Sequence, residues 1–112
     1  MAELRAASIA LGDTFIRLVE QTCPMLKLAS PRDGQQRGSQ VSFHFDQGYA
    51  AMQACIDKGV IGDFRAPDIM RFGFTPLFID QSDVQKAADI LADVMTRELW
   101  RDPKYQARQA VT

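Results

Sequence analysis

Arg71 stands between Met70 and Phe72 and is followed by Gly73, so a planar cation sits in a short apolar stretch with little bulk beside it. A guanidinium presents parallel N–H donors in a rigid fork that matches the two oxygens of a carboxylate. One reading is therefore an anion clamp for a substrate carboxylate. The other is a hydrated arginine on the outer face of an antiparallel sheet, where polar residues are common. Pattern alone leaves both open. Arg37-Gly38 and Asp63-Phe64-Arg65 also set arginines beside turns, where binding groups gather, although a charged turn residue is usually just hydrated. His44 lies on the polar side of an alternating stretch without a Cys or Ser partner pattern, and reads as an exposed histidine. Cys55 reads as a small core residue and Trp100 as packing for the last helix. No paired-carboxylate, Ser/His/Asp, GxGxxG or P-loop pattern stands out, so spacing assigns no catalytic residue.

Composition narrows the field. The chain has 112 residues, the length of one domain, with 13 Lys+Arg against 14 Asp+Glu and a net charge of −1. That balance gives no general attraction to nucleic acid or to an anionic membrane. At 46% apolar and 24% charged the sequence is too apolar for a disordered chain. Cys23 and Cys55 cannot form a disulfide framework, and with one histidine they cannot make a common zinc site, so no metal is expected. No uncharged apolar run approaches the roughly 18–20 residues that span a bilayer. The start, Met1-Ala2-Glu3-Leu4-Arg5, lacks the pattern of a secretory leader, and the expectation is a reduced, soluble, cytoplasmic protein.

The elements that must position Arg71 follow from periodicity. Leu4, Ala7, Leu11, Phe15, Leu18, Val19 and Thr22 recur at helical spacing over Glu3 to Thr22, and Pro24 ends that helix. Met25 to Ser30 and Ser39 to Phe45 alternate like strands, the second with Val41, Phe43 and Phe45 inward and Ser42 and His44 outward. The polar loop between them predicts an antiparallel pair. Asp46 is suited to cap a helix running to about Lys58, with Tyr49, Met52, Gln53 and Ile56 as its stripe and Gly59 as its C-terminal stop. Val60-Ile61 is expected to open a short strand, followed by a turn over Gly62 to Pro67. Ile69 to Phe74 predicts a strand with Met70, Phe72 and Phe74 on one side and Arg71 on the other, ended by Pro76. Ser82 and Gln85 suit a capping box for a helix carrying Val84, Ala88, Leu91, Met95 and Leu99. The sum is an α+β, two-layer domain over residues 1–112: a mainly antiparallel sheet of about four strands with three helices on one face. Residues 1–23 form the leading helix, and residues 104–112 a loosely held tail.

Two runs carry a resemblance. They are Arg37-Gly38-Ser39-Gln40-Val41-Ser42-Phe43 and Gly59-Val60-Ile61-Gly62-Asp63-Phe64-Arg65-Ala66-Pro67-Asp68-Ile69-Met70-Arg71-Phe72-Gly73-Phe74-Thr75-Pro76-Leu77. Both resemble kynureninase in its C-terminal small domain, and the likeness continues in Tyr49-Ala50-Ala51-Met52-Gln53-Ala54 and in the helix after Ser82. It covers nearly the whole chain. Phe78 departs from the Tyr common in compared members, and Phe45-Asp46 from a His-Pro-like turn.

The resemblance implies a good deal. Kynureninases are homodimeric, pyridoxal-phosphate-dependent hydrolases of the aspartate-aminotransferase fold, which split L-kynurenine into anthranilate and L-alanine in tryptophan catabolism. The family arginine in the motif matching Ile69-Met70-Arg71-Phe72 binds the substrate α-carboxylate, which makes Arg71 the substrate-binding residue. The cofactor-bearing lysine and the groups around the pyridine ring and phosphate belong to the family's large domain. No catalytic or cofactor-binding residue is therefore expected on this chain, nor activity from it alone. The implied partners are kynurenine, a pyridoxal-phosphate-binding large domain or partner chain, and a second copy in a homo-oligomer. Arg71 should then face a cleft that a neighbouring domain completes. A stand-alone binding or interaction module that kept the fold without the chemistry is the alternative.

Overall fold

In the computed structural model, which describes residues 2–34, 36, 40–73 and 79–106, the chain opens with helix α1 (Ala2–Thr22). Its apolar stripe enters the core only from Leu11 onward, through Phe15, Ile16 and Val19, whereas Leu4 in the first turns is exposed. Thr22, expected on the core side, is exposed and donates its hydroxyl to the Leu18 carbonyl at 2.9 Å. The chain then turns at Pro24 and enters strand β1 (Lys27–Leu28), shorter than the alternation predicts. Beyond it the Ala29 N–H still donates to the Ser42 carbonyl at 2.8 Å, and the Ser30 hydroxyl accepts from the Ser42 N–H at 2.7 Å.

The remaining elements are β2 (Gln40–His44), α2 (Gly48–Asp57), β3 (Gly62–Arg65), β4 (Ile69–Gly73) and α3 (Gln81–Thr96). A 3-10 turn over Leu99–Arg101 and a short helix α4 (Pro103–Gln106) follow. The four strands form one sheet in the order β1-β2-β4-β3, antiparallel throughout. The α+β reading holds: the main helices gather on one face of this sheet, and among the described residues no helix covers the other.

Alternation explains which face is covered. Val41 and Phe43 on β2 and Met70 and Phe72 on β4 point to the helices and are buried, while Ser42, His44 and Arg71 point away. Phe15 of α1 meets Phe72 at a ring separation of 5.0 Å and Phe43 at 6.1 Å, and Phe43 and Phe72 lie 6.4 Å apart. These tilted and edge-on contacts join the first helix to the two central strands. Val84, Ala88, Leu91 and Met95 of α3 are buried as predicted, together with Val94.

Local details differ from the sequence reading, each for an identifiable reason. The residue preceding α2 is Gln47, not Asp46, and it makes no side-chain cap. The turn is closed by backbone instead: the Gly48 N–H donates to the Phe45 carbonyl at 2.9 Å, and the Phe45 N–H to the Asp68 carbonyl at 2.9 Å. The buried side of α2 is its small one, Ala50, Ala51, Ala54 and Cys55 with Met52, and Ile56 is exposed. Small residues let the helix lie close, and at its first residue a Cβ in place of Gly48 would come within 3.2 Å of the Asp68 carbonyl oxygen and of the Phe64 ring. Gly59 does close α2, with φ of 99°.

Strand β3 begins at Gly62, inside the stretch expected to be a turn, and the turn proper is Ala66 to Asp68. Gly62 permits this because a Cβ there would collide with the Arg71 carbonyl oxygen. The capping box of α3 lies two residues earlier than expected. The Asp80 carboxylate accepts from the Asp83 N–H at 3.1 Å, and the Asp83 carboxylate from the Asp80 N–H at 3.0 Å. A carboxylate at both positions outcompetes the Ser82–Gln85 pair, and the Ser82 hydroxyl donates to Asp80 at 2.8 Å.

Trp100 sits on the 3-10 turn, its ring edge-on to Phe45 at 5.5 Å, and the Gln106 amide donates to its carbonyl. The segment after Asp102 starts as α4, where the Tyr105 hydroxyl donates to Asp57 at 2.7 Å. Arg37, Gly38, Phe74 to Phe78 and residues 107–112 lie outside the described residues.

The aromatic cluster yields a test. Phe72→Ala removes a fully buried ring and is expected to cost about 3–5 kcal/mol, whereas Ile61→Ala, at a position 75% exposed, should change stability by no more than about 0.5 kcal/mol. Urea denaturation followed by circular dichroism measures both, and equal midpoints for the two variants would contradict this account of the core.

Candidate functional site

Across the open face the strand register lines up one polar row: Ser42 on β2, Arg71 on β4 and Asp63 on β3. Directly opposed residues on antiparallel strands hold their Cβ atoms roughly 5 Å apart, within reach of a short carboxylate. Arg71 Nε donates to Asp63 Oδ1 at 2.6 Å, and Nη2 to Oδ2 at 2.6 Å. This is a two-pronged, charge-assisted pair along one edge of the guanidinium. The Arg71 side chain is 23% exposed and that of Asp63 53%. The bonds from Arg71 hold the Asp63 carboxyl below the usual carboxylate range against the opposing effect of burial, and the charges of Arg71 and Arg65 add smaller contributions in the same downward direction. The same bonds raise the Arg71 pKa.

The next row holds Lys27, His44, Ile69 and Arg65. His44 Nδ1 lies 3.0 Å from Oδ1 of Asp68, which hangs from the β3–β4 turn. Arg65, read from sequence as a turn residue, is the last residue of β3 and shares the open face with Arg71. Gly73 leaves space on the same face, since no described atom lies within 4 Å of where its Cβ would be. Two hollows flank the sheet. One of about 350 Å³ lies between Lys58, Ile61, Phe72, Ile79 and Lys86, and another of about 390 Å³ between Tyr49, Gln53, Ile56, Asp63 and Ala66. Arg71 lines neither, and among the described residues Asp63 is the partner that hydrogen-bonds its guanidinium.

Cys55 and Cys23 are both buried, and desolvation pushes the Cys55 thiol up to about 12. Such a thiol is protonated at neutral pH and is no nucleophile. Among the described residues no group of three His, Cys, Asp or Glu side chains could hold a metal ion, and no helix is long and apolar enough to cross a membrane. Lys27, Lys58, Lys86 and Lys104 are all exposed.

Asp63 and Asp68 are the partners that sequence reasoning missed. Both follow from the position of the β3–β4 turn. Once it is centred on Ala66 to Asp68, Asp63 must oppose Arg71, and an acid facing a base across a hairpin is a recognisable pattern.

The profile of the kynureninase C-terminal domain matches residues 4–91. Over 114 aligned positions the whole chain is 51% identical to the kynureninase of Pseudomonas fluorescens, of which it covers 27%. It is 50% identical, with the same coverage, to the kynureninases of Burkholderia mallei strain SAVP1 and Burkholderia pseudomallei strain K96243. The chain belongs to the kynureninase C-terminal domain family. It spans about a quarter of the length of these kynureninases. Ser42, Asp63 and Arg71 all fall inside the matched region, as do all four strands of the sheet.

The lowered pKa of Asp63 has a consequence for this kynureninase domain. A carboxyl whose folded value lies below its unfolded value, about 3.9, contributes stability that is present above that value and is lost as pH falls through the folded one. Asp63→Asn should therefore be slightly less stable than the parent at pH 6, as expected of a half-exposed pair, with the gap closing as pH drops below about 4. Urea midpoints measured from pH 2.5 to 6 test this, and a gap that stays constant across the range would refute it.

Proposed function

We propose that this chain is the substrate-side domain of a kynureninase, in which Arg71 receives the α-carboxylate of L-kynurenine. The complete enzyme would hydrolyse kynurenine to anthranilate and L-alanine in the tryptophan catabolism of the cytoplasm. The observation that carries this reading is the fixed guanidinium on a strand bonded along both edges, inside the region matched by the family. A carboxylate bound to a fork so held has its position and rotation set, which orients the rest of the substrate.

Pyridoxal phosphate, which the family implies, would supply the electron sink for cleavage of the side chain. The lysines here do not fit it, because each is exposed and none is desolvated in an enclosed recess. Cofactor binding is accordingly assigned to the remainder of a complete enzyme, and no step through the cofactor is assigned to this chain. The role left to the chain is to bind the carboxylate, hold its orientation, and offer one wall of a site that a large domain or partner chain closes. The exposed apolar residues Leu4, Met25, Ile56 and Ile61 offer contact for such a partner or for a second copy. A stand-alone binding module is the second reading, favoured by the Arg71 guanidinium end that no hydrogen bond among the described residues engages.

Complementation separates the two. The chain is mixed with a separately produced large-domain portion of a kynureninase, and anthranilate fluorescence is followed after adding L-kynurenine and pyridoxal phosphate. Activity is expected from the mixture and not from the chain alone. Arg71→Ala should lower kcat/KM about 100-fold or more, and Arg71→Lys should also be poor because an ammonium lacks the fork. Unchanged kinetics in Arg71→Ala would remove the clamp, and kynurenine turnover by the isolated chain would remove the assignment of chemistry to a partner.

A further inference from the structure

We propose that Asp63 is the positioning residue for Arg71. By gripping one edge of the guanidinium it turns the other edge outward as a ready receptor for a carboxylate. This rests on the proposed role of Arg71 in binding the substrate carboxylate.

The donor count carries the inference. A guanidinium has five N–H groups, of which Asp63 takes the one on Nε and one on Nη2. Two remain on Nη1 and one on Nη2. One N–H from each of these nitrogens points in parallel along the end of the fork, the second of the two edges that can meet a carboxylate with paired bonds. No hydrogen bond within the described residues engages that end. On the same face, Arg71 is opposed on β2 by the short side chain of Ser42 and followed two residues along β4 by Gly73, which carries none.

The grip is built into the sheet. Asp63 faces Arg71 in the ladder and has a short side chain, and Gly62 before it allows β3 to run close against the Arg71 backbone. Asp63 also leaves the local charge favourable for an anion. Arg65 lies on the same strand and the same face and Lys27 shares its row, so three cations meet the two carboxylates of Asp63 and Asp68 and a net positive charge remains. A competing reading of the same bonds is that Asp63 occupies the clamp and must be displaced. The two readings predict opposite signs.

The test uses the complemented enzyme described above, with Arg71→Ala as control. If Asp63 positions the fork, Asp63→Asn raises KM for L-kynurenine about 10-fold or more with a smaller change in kcat. Asp63→Glu, which keeps the carboxylate, should recover most of the loss. Inhibition by kynuramine, the amine lacking the α-carboxylate, should be unchanged in both variants, which a general structural defect would not produce. A lower KM in Asp63→Asn would overturn positioning in favour of displacement, and an unchanged KM would overturn it outright. If Arg71→Ala is itself unchanged, the clamp reading fails instead. A measurement on the chain alone needs no activity: the Arg71 Nε–H resonance in 15N spectra should be protected from exchange in the parent and in Asp63→Glu. It should lose that protection in Asp63→Ala, which has no acceptor there, and persistence in that variant would overturn the grip.

Discussion

Strand β4 is hydrogen-bonded along both edges, to β2 on one side and β3 on the other, and its side chains alternate between a dry face and a wet one. Slipping it by one residue would exchange those faces, driving the Arg71 guanidinium against Phe15 and Phe43 and putting Phe72 in water. Burying an unpaired charge and exposing a large ring are both unfavourable, so the same packing that makes the core fixes where the arginine must be. The site inherits its precision from the core. This is why the aromatic contacts among Phe15, Phe43 and Phe72 bear on function, although none of them reaches the open face.

The Arg71–Asp63 pair answers a different need. Solvent-exposed ion pairs contribute little to stability, because water screens the attraction and ordering two side chains costs entropy. With half of the Asp63 side chain accessible, the pair is a weak candidate for holding the fold together. Its two bonds instead remove the rotational freedom of a long side chain. An unrestrained arginine would have to lose that freedom on meeting a ligand, and one already restrained loses less. The geometry thus favours orientation over stability as the consequence of the pairing.

Period-two alternation made β2 and β4 legible from sequence, down to the outward placement of Arg71, because a half-buried strand has few ways to hide its apolar residues. Elements governed by backbone closure were less legible. Asp46 has the chemistry of a cap, yet the Phe45 carbonyl takes the Gly48 N–H, and the side chain is not needed. Around α3 several acceptors compete for the same donors, and carboxylates at Asp80 and Asp83 prevail over the serine and glutamine beside them. The buried side of α2 was obscured because alanines carry little hydrophobic signal, while its larger Ile56 faces solvent. Asp63 was visible as a residue but not as a partner. Its pairing depends on the hairpin register, and that register depends on a strand starting at a glycine that local propensity assigns to a turn.

An arginine on an open sheet face can orient a carboxylate without binding it strongly. As long as water reaches the far side of the ligand, the effective dielectric is high and each charge-assisted bond replaces one of similar strength to water. Excluding that water requires a second surface laid over the face, which none of the described helices provides because they pack on the opposite side. The proposed clamp would acquire affinity from whatever closes over it, while its direction is already set within the domain.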